Sequence, residues 1–196
     1  LNDDLNKKII NAKTLVELED LYRPYKSKKQ TRATKAREKG LEPLANIILK
    51  QEITEDVKNI AKDYVNDEVK SPKEVIQGAK DIIAEEISDN SEFRKKIRRN
   101  TFYTGKIETK AKNKDESTEY DIYYNYSEDV KRIPPHRILA INRGENEGII
   151  KGKITCDSDD VIEYLNRHIL KNISNNPGKI KYNKYTTPII KEAIID

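Results

Sequence analysis

The stretch Ser71-Pro72-Lys73-Glu74-Val75-Ile76-Gln77-Gly78-Ala79-Lys80-Asp81-Ile82-Ile83 holds the clearest helix-start signal in the chain. Ser71 supplies a side-chain cap, Pro72 fits the first helical position, where its missing N–H is no loss, and Glu74 completes a capping box. Val75, Ile76, Ala79, Ile83 and Ile87 follow at helical spacing, which predicts an amphipathic helix with those side chains turned inward. Gly78 lies inside it. Glycine is disfavoured in a helix interior, so it reads as the mark of a close helix–helix approach that a side chain would block.

Toward the N-terminus the helical spacing continues. Leu1, Leu5, Ile9 and Ala12, then Leu15, Leu18, Leu21 and Tyr22, predict one helix ending near Ala12 and another over 15–22, the second behind a Thr14/Glu17 capping box. Arg23-Pro24 stops that helix, because the residue before a proline is pushed out of the helical region, and 25–30 reads as a loop. Thr31 or Thr34 caps a short helix closed by Gly40. Pro43 opens a helix over 43–50, and 55–66 forms another with Val57, Ile60, Ala61, Tyr64 and Val65 as its apolar stripe.

On the C-terminal side, Ser91 begins a basic helix to about Asn100, anchored by Phe93 and Ile97. The character then changes. Gly105, the β-like run 106–112 and the polar 113–118 suggest a less regular link, and Tyr120, Tyr123, Tyr124 and Tyr126 gather around Ile122. Pro134-Pro135 starts a helix over 136–143 closed by Gly144, a strand is expected over 149–155, and Ser158 caps a helix over 159–170. Thr187-Pro188 opens the last helix. The expected fold is mainly α, a multi-helical array with a small β element in the second half. The expected organisation is a helical domain over 1–100, an irregular linker or loop over 101–118, and a mixed helical segment with a short strand over 119–196, truncated at its C-terminus.

Composition narrows the class. Hydrophobic residues make up 35% and charged residues 37%, and the mean hydropathy is −0.88; a high ratio of surface to core follows, and a compact enzyme is the less natural reading. No apolar run approaches the ~20 residues of a membrane span, and Cys156 is the one cysteine, so a soluble cytoplasmic protein without a disulfide framework is expected. A start at Leu1, the absence of Met and an end inside a helical pattern read as a segment of a longer chain.

Charge is unevenly spread although the net is only +4. Residues 23–39 hold eight basic side chains against the single Glu38. Lysine and arginine gain affinity for nucleic acid by releasing condensed counterions, so Arg23, Lys26, Lys28, Lys29, Arg32, Lys35 and Arg37 are the candidate nucleic-acid-binding residues. The competing readings are a solvated loop or a clasp against an acidic face. A second basic cluster, Arg94, Lys95, Lys96, Arg98 and Arg99, also suits the dipole of a helix C-terminus, and Asp115, Glu116, Glu119, Asp121, Glu128 and Asp129 make an acidic stretch. That acid around the tyrosines favours packing over base stacking.

Catalytic patterns are weak. His136, His168 and Cys156 are too few and scattered for a zinc site, Asp157, Asp159 and Asp160 read as helix-start residues beside Ser158, and Glu85-Glu86 reads as a solvated pair. Gly144-Glu145-Asn146-Glu147-Gly148 puts carboxylates where a phosphate would sit. No catalysis, cofactor or metal is expected.

Three strings stand together: Leu18-Glu19-Asp20-Leu21-Tyr22-Arg23-Pro24-Tyr25-Lys26, Arg32-Ala33-Thr34-Lys35-Ala36-Arg37-Glu38-Lys39-Gly40-Leu41-Glu42-Pro43-Leu44-Ala45, and His136-Arg137-Ile138-Leu139-Ala140-Ile141-Asn142-Arg143-Gly144-Glu145. With Gly78-Ala79-Lys80-Asp81-Ile82-Ile83-Ala84-Glu85, they resemble the N-terminal helical part of the Tex family of bacterial transcription accessory proteins. The resemblance covers the whole chain, and the family is also similar to the core of a eukaryotic transcription elongation factor and histone chaperone. It implies a multi-module protein: a helix-turn-helix region, this helical segment, a ribonuclease-H-like domain, helix-hairpin-helix elements and a C-terminal OB-fold that makes the main RNA contact. Ser27 and Gln30 depart from the family by making the basic loop less proline- and arginine-rich. The expected role is a non-catalytic scaffold segment of an RNA-binding transcription factor with a secondary contact through its basic loop. Its partners would be nucleic acid, mainly through modules outside this segment, and the transcription machinery, with no membrane. The alternative is a protein–protein interaction module that touches no nucleic acid.

Overall fold

Pro72–Asp89 is the longest helix (α6), and its N-terminus is built as its sequence dictates: the Ser71 hydroxyl accepts from the Glu74 amide at 3.3 Å, and the Glu74 carboxylate accepts from the Lys70 amide at 3.2 Å. The computed structural model describes residues 3–26, 30–113, 117–176 and 178–196. Before α6 run α1 (Asp3–Asn11), α2 (Leu15–Tyr22), α3 (Arg32–Glu38), α4 (Glu42–Lys50) and α5 (Val57–Ala61); after it come α7 (Ser91–Thr104), β1 (Lys106–Ala111), β2 (Asn125–Asp129), α8 (Pro135–Asn146), β3 (Ile150–Thr155), α9 (Asp159–Ile169) and α10 (Thr187–Ile195). Short 3₁₀ turns lie at Arg23–Tyr25, Lys62–Tyr64 and Asp121–Tyr123. The architecture is mainly α with one small sheet, as expected.

The chain forms two compact units, Leu1–Arg94 with Ile162–Asp196, and Lys95–Val161. In the first, α6 is the hub, packed by α3, α4, α5 and α10. Val75, Ala79, Ile82 and Ile83 are fully buried on it, together with Leu44, Ile48, Val57 and Ile190 from its neighbours. Ile82 was not among the expected inward positions. It is buried because helices cover α6 on more than one side, which widens the apolar stripe beyond a single face. Gly78 does what its position implied: a Cβ there would lie 2.4 Å from Leu41 Cδ1 and 3.2 Å from Ala36 Cβ, so α3 and the turn after it sit directly on the α6 backbone.

A second feature of this unit carries no sequence signal. Gln51 ends α4 in the left-handed region (φ 58°) while its side chain is 2% exposed. Its amide donates to the Ile169 carbonyl at 2.8 Å and its Oε1 accepts from the Lys171 amide at 3.0 Å. Buried Asn183 donates to the carbonyls of Gln51 and Ile53 at 3.1 and 2.7 Å. These amides add to the apolar contacts that Leu170, Tyr182 and Tyr185 make with the same core.

The second unit is an antiparallel sheet of order β2-β1-β3. Its core gathers Tyr120, Tyr123, Ile133, Ile141 and Ile150, with Ile107 and Tyr126 packed against them. The tyrosines thus serve packing, but Ile122 does not centre them: it is 72% exposed. Helix α8 runs past the expected end at Arg143 to Asn146, and the left-handed glycine that follows is Gly148, at φ 78°. Gly144 instead meets Tyr120 and Ile150 at distances a Cβ would violate.

Candidate nucleic-acid interface

The basic segment starts from a cap. Thr31 accepts from the Thr34 amide at 3.0 Å to begin α3, and its hydroxyl donates to Glu85 Oε1 at 2.9 Å, tying the helix start to α6. Asp81, Glu85 and Asp89 recur every four residues, so they line one face of α6, and each is met by one arginine of residues 23–39. Arg32 Nη1 lies 3.7 Å from Asp81, with its Nη2 2.5 Å from Asp196. Arg37 bonds Glu85 through Nη1 and lies 3.4 Å from Glu42. Arg23 Nε is 3.1 Å from Asp89. A neighbouring pair follows the same logic, with Arg94 Nε 2.7 Å from buried Asp20.

These guanidinium forks already hold carboxylates, the geometry arginine fits best. Burial alone would lower the Arg37 pKa, but the hydrogen bond and charge of Glu85 outweigh it and raise it. Burial, the largest cause, raises the pKa of Glu86 against the opposing charge of Arg37. The Glu85-Glu86 step is therefore no solvated pair: the Glu85 side chain is 11% exposed and ion-paired. Of the remaining candidates, Lys26 and Lys35 are exposed, and Lys28 and Lys29 lie outside the described residues. Lys26 borders a cleft of about 500 Å³ shared with Thr34, Arg37, Glu85, Glu86 and Asp89, whose carboxylates would repel a phosphate.

Two other surfaces stand out. An apolar groove of about 730 Å³ runs between α1 and α2, lined by Leu5, Ile9, Leu18, Leu21, Tyr22 and Tyr25 with Glu19 among them. In the second unit the sheet turns lysines outward from β1 and β3, a pattern hidden in the sequence because those strands are some forty residues apart.

Nothing in the described residues gathers three His, Cys, Asp or Glu side chains able to hold a metal ion, and no described helix is long and apolar enough to cross a membrane. His168 stacks on Tyr164 at 3.9 Å. At the start of α9 the side-chain acceptor is Asp157, bonded by the Asp159 amide at 3.0 Å, where Ser158 was expected.

Comparison with known proteins supplies the context. Residues 52–186 match the family model described as Tex central region-like. The chain is 42% identical to the Bacillus subtilis protein YdcI, over 99% of this chain and 29% of that protein. It is 34% identical to the transcriptional accessory protein Tex of Neisseria gonorrhoeae, over 82% of this chain and 21% of that one. It is 28% identical to human S1 RNA-binding domain-containing protein 1, over 88% and 18% respectively. The chain thus spans less than a third of the length of these relatives.

Proposed function

Since this chain belongs to the Tex family, we propose that it is a non-catalytic helical scaffold within a cytoplasmic, RNA-binding transcription accessory factor, and that residues 23–39 act first as an internal clasp. The observation that carries this is the ladder of Arg32, Arg37 and Arg23 on Asp81, Glu85 and Asp89. Lys35 is exposed on α3 and Lys26 is exposed after the 3₁₀ turn Arg23–Tyr25, and with Lys28 and Lys29 they make a secondary contact to nucleic acid whose main grip lies in modules elsewhere in the longer protein.

The clasp and the contact separate experimentally. Arg37→Ala is expected to destabilise the chain by about 2 kcal/mol, less than a fully buried pair because Arg37 is partly exposed, and to leave retardation of RNA at low salt unchanged. Lys26→Glu, Lys28→Glu, Lys29→Glu and Lys35→Glu combined should leave the melt unchanged and weaken retardation. An Arg37→Ala chain as stable as the unaltered one removes the clasp; a fourfold reversal without effect on mobility removes the contact.

The second reading, a protein-docking module for the transcription machinery, is favoured by the α1–α2 groove, a concave surface lined almost entirely by apolar and aromatic side chains. Loss of binding to RNA polymerase on Leu18→Glu, with RNA retardation unchanged, would select it.

A further inference from the structure

The outward face of the β2-β1-β3 sheet follows from its register. Ile107, Thr109 and Ala111 of β1 pair with Ile154, Gly152 and Ile150 of β3, and these positions share a side with the core residues Ile107 and Ile150. Alternation therefore puts Lys106, Glu108 and Lys110 of β1, Lys151, Lys153 and Thr155 of β3, and Asn125, Ser127 and Asp129 of β2 on the opposite side. Lys110, Lys151, Lys153, Asn125 and Ser127 are exposed.

This face carries a net positive charge, with Lys106, Lys110, Lys151 and Lys153 against Glu108 and Asp129. Glu108 is engaged by Lys153 at 3.0 Å, and Asp129 lies 3.7 Å from Arg132. Lys110 and Lys151 sit directly opposite one another across the β1–β3 register, and neither has an ion-pair partner among the described residues. Like charges directly opposite on one face destabilise a sheet; the adjoining acid, Glu108, is ion-paired with Lys153 at 3.0 Å, and Lys110 adds only a secondary attraction to it. Beside the lysine pair on β2 is Asn125, a neutral hydrogen-bonding side chain. Lys112 extends the row, its amide continuing the ladder to the Ile149 carbonyl at 2.9 Å.

We propose that this sheet face binds the phosphate backbone of a single-stranded nucleic acid, with Lys110 and Lys151 as the central pair and Lys153 and Asn125 at its flanks. None of the nine outward positions is aromatic, so the face offers no stacking platform and reads no base. The inference rests on the nucleic-acid half of the reading above but puts the contact on a different surface from residues 23–39.

The test is fluorescence anisotropy of the 196-residue chain with a labelled oligouridylate and a labelled mixed-sequence RNA strand across a KCl series. Both probes should bind with affinities within a few-fold of each other. Lys110→Ala with Lys151→Ala should reduce the slope of log K against log salt by about 1.4, at about 0.7 per phosphate contact on a single strand. Lys110→Glu with Lys151→Glu should abolish binding, and Lys110→Arg with Lys151→Arg should retain it, each with a melting temperature matching the unaltered chain. Unchanged affinity and slope in the double-glutamate chain overturn the proposal, and if the fourfold reversal at residues 26–35 alone removes binding, the loop contact stands without the sheet. The opposite result keeps the sheet and sinks the loop; no binding by the unaltered chain sinks both. Tighter binding of polyglutamate than of RNA, lost in the double-glutamate chain, would assign the face to an acidic protein and overturn it equally.

Discussion

Gln51 has the only positive φ on a non-glycine residue among those described, and its side chain makes two buried hydrogen bonds. Left-handed backbone costs an L-residue roughly 1–2 kcal/mol, and each buried partner left unmade costs about 1–3 kcal/mol. Gln51→Leu keeps the strain and orphans the Lys171 amide, so it should destabilise by about 3 kcal/mol. Gln51→Gly loses the same bonds while relieving the backbone, and should cost clearly less; urea unfolding of the two variants measures the difference, and equal losses would mean that the backbone at Gln51 is unstrained. Such a residue is invisible in sequence, because nothing marks one polar side chain among many as the buried one. The carboxylates of α6 were hidden similarly. Their spacing of four is visible in residues 81–89, but their arginine partners lie 48 and 66 residues away for Glu85 and Asp89.

Helix α6 was the most legible element, since its cap, its proline and most of its buried face follow from local chemistry. Its glycine yields a sharp prediction. Alanine at position 78 would gain about 1 kcal/mol of helix propensity, yet its Cβ would meet Leu41 Cδ1 at 2.4 Å and Ala36 Cβ at 3.2 Å, so the buried Leu41 side chain would have to shift. Overpacking costs about 1–3 kcal/mol, so Gly78→Ala should lower the melting temperature, and Gly78→Leu should prevent cooperative folding. A melt of Gly78→Ala above that of the unaltered chain would refute the close approach. The strands were only half legible. The β-like character of 106–112 was apparent, but register is a long-range property, and the Lys110–Lys151 juxtaposition exists only once β1 and β3 pair. Lys110→Thr should raise stability by about 0.2–1 kcal/mol by removing the like-charge contact and adding a β-branched side chain, measured by denaturant midpoint at low salt; the gain should shrink as salt screens the pair.

Each of the two units has its own core, and the first is assembled from both ends of the chain, with Ile190 and Ala193 of α10 buried in the cluster around α6. A reading that moves along the sequence has no means of seeing that return, because the apolar stripe of a last helix does not say which earlier helix it will cover. The distribution of perturbed acids is also a property of the assembled molecule, and it predicts how acid acts on the sheet unit. Glu108 is held below its ordinary range by the hydrogen bond from Lys153, Asp121 by the Ser117 hydroxyl and the Thr118 amide, and Glu128 by the Tyr126 hydroxyl and Arg137. A carboxylate whose pKa is lower folded than unfolded stabilises the fold fully above its ordinary value, and that contribution is lost as pH falls through the folded value. All three belong to the sheet unit. Its amide-exchange protection should therefore hold from neutral pH down to about 5 and decline progressively below that, once intrinsic exchange rates are corrected for pH. Glu86, raised by burial, acts in the opposite sense, since protonation relieves it as pH falls. Exchange measured on β1 and β2 of the unaltered chain and of Glu108→Gln with Glu128→Gln decides the matter: the double variant should start with less protection and lose less of it on acidification. An acid-induced loss equal in the two proteins would show that these carboxylates do not couple the sheet to pH.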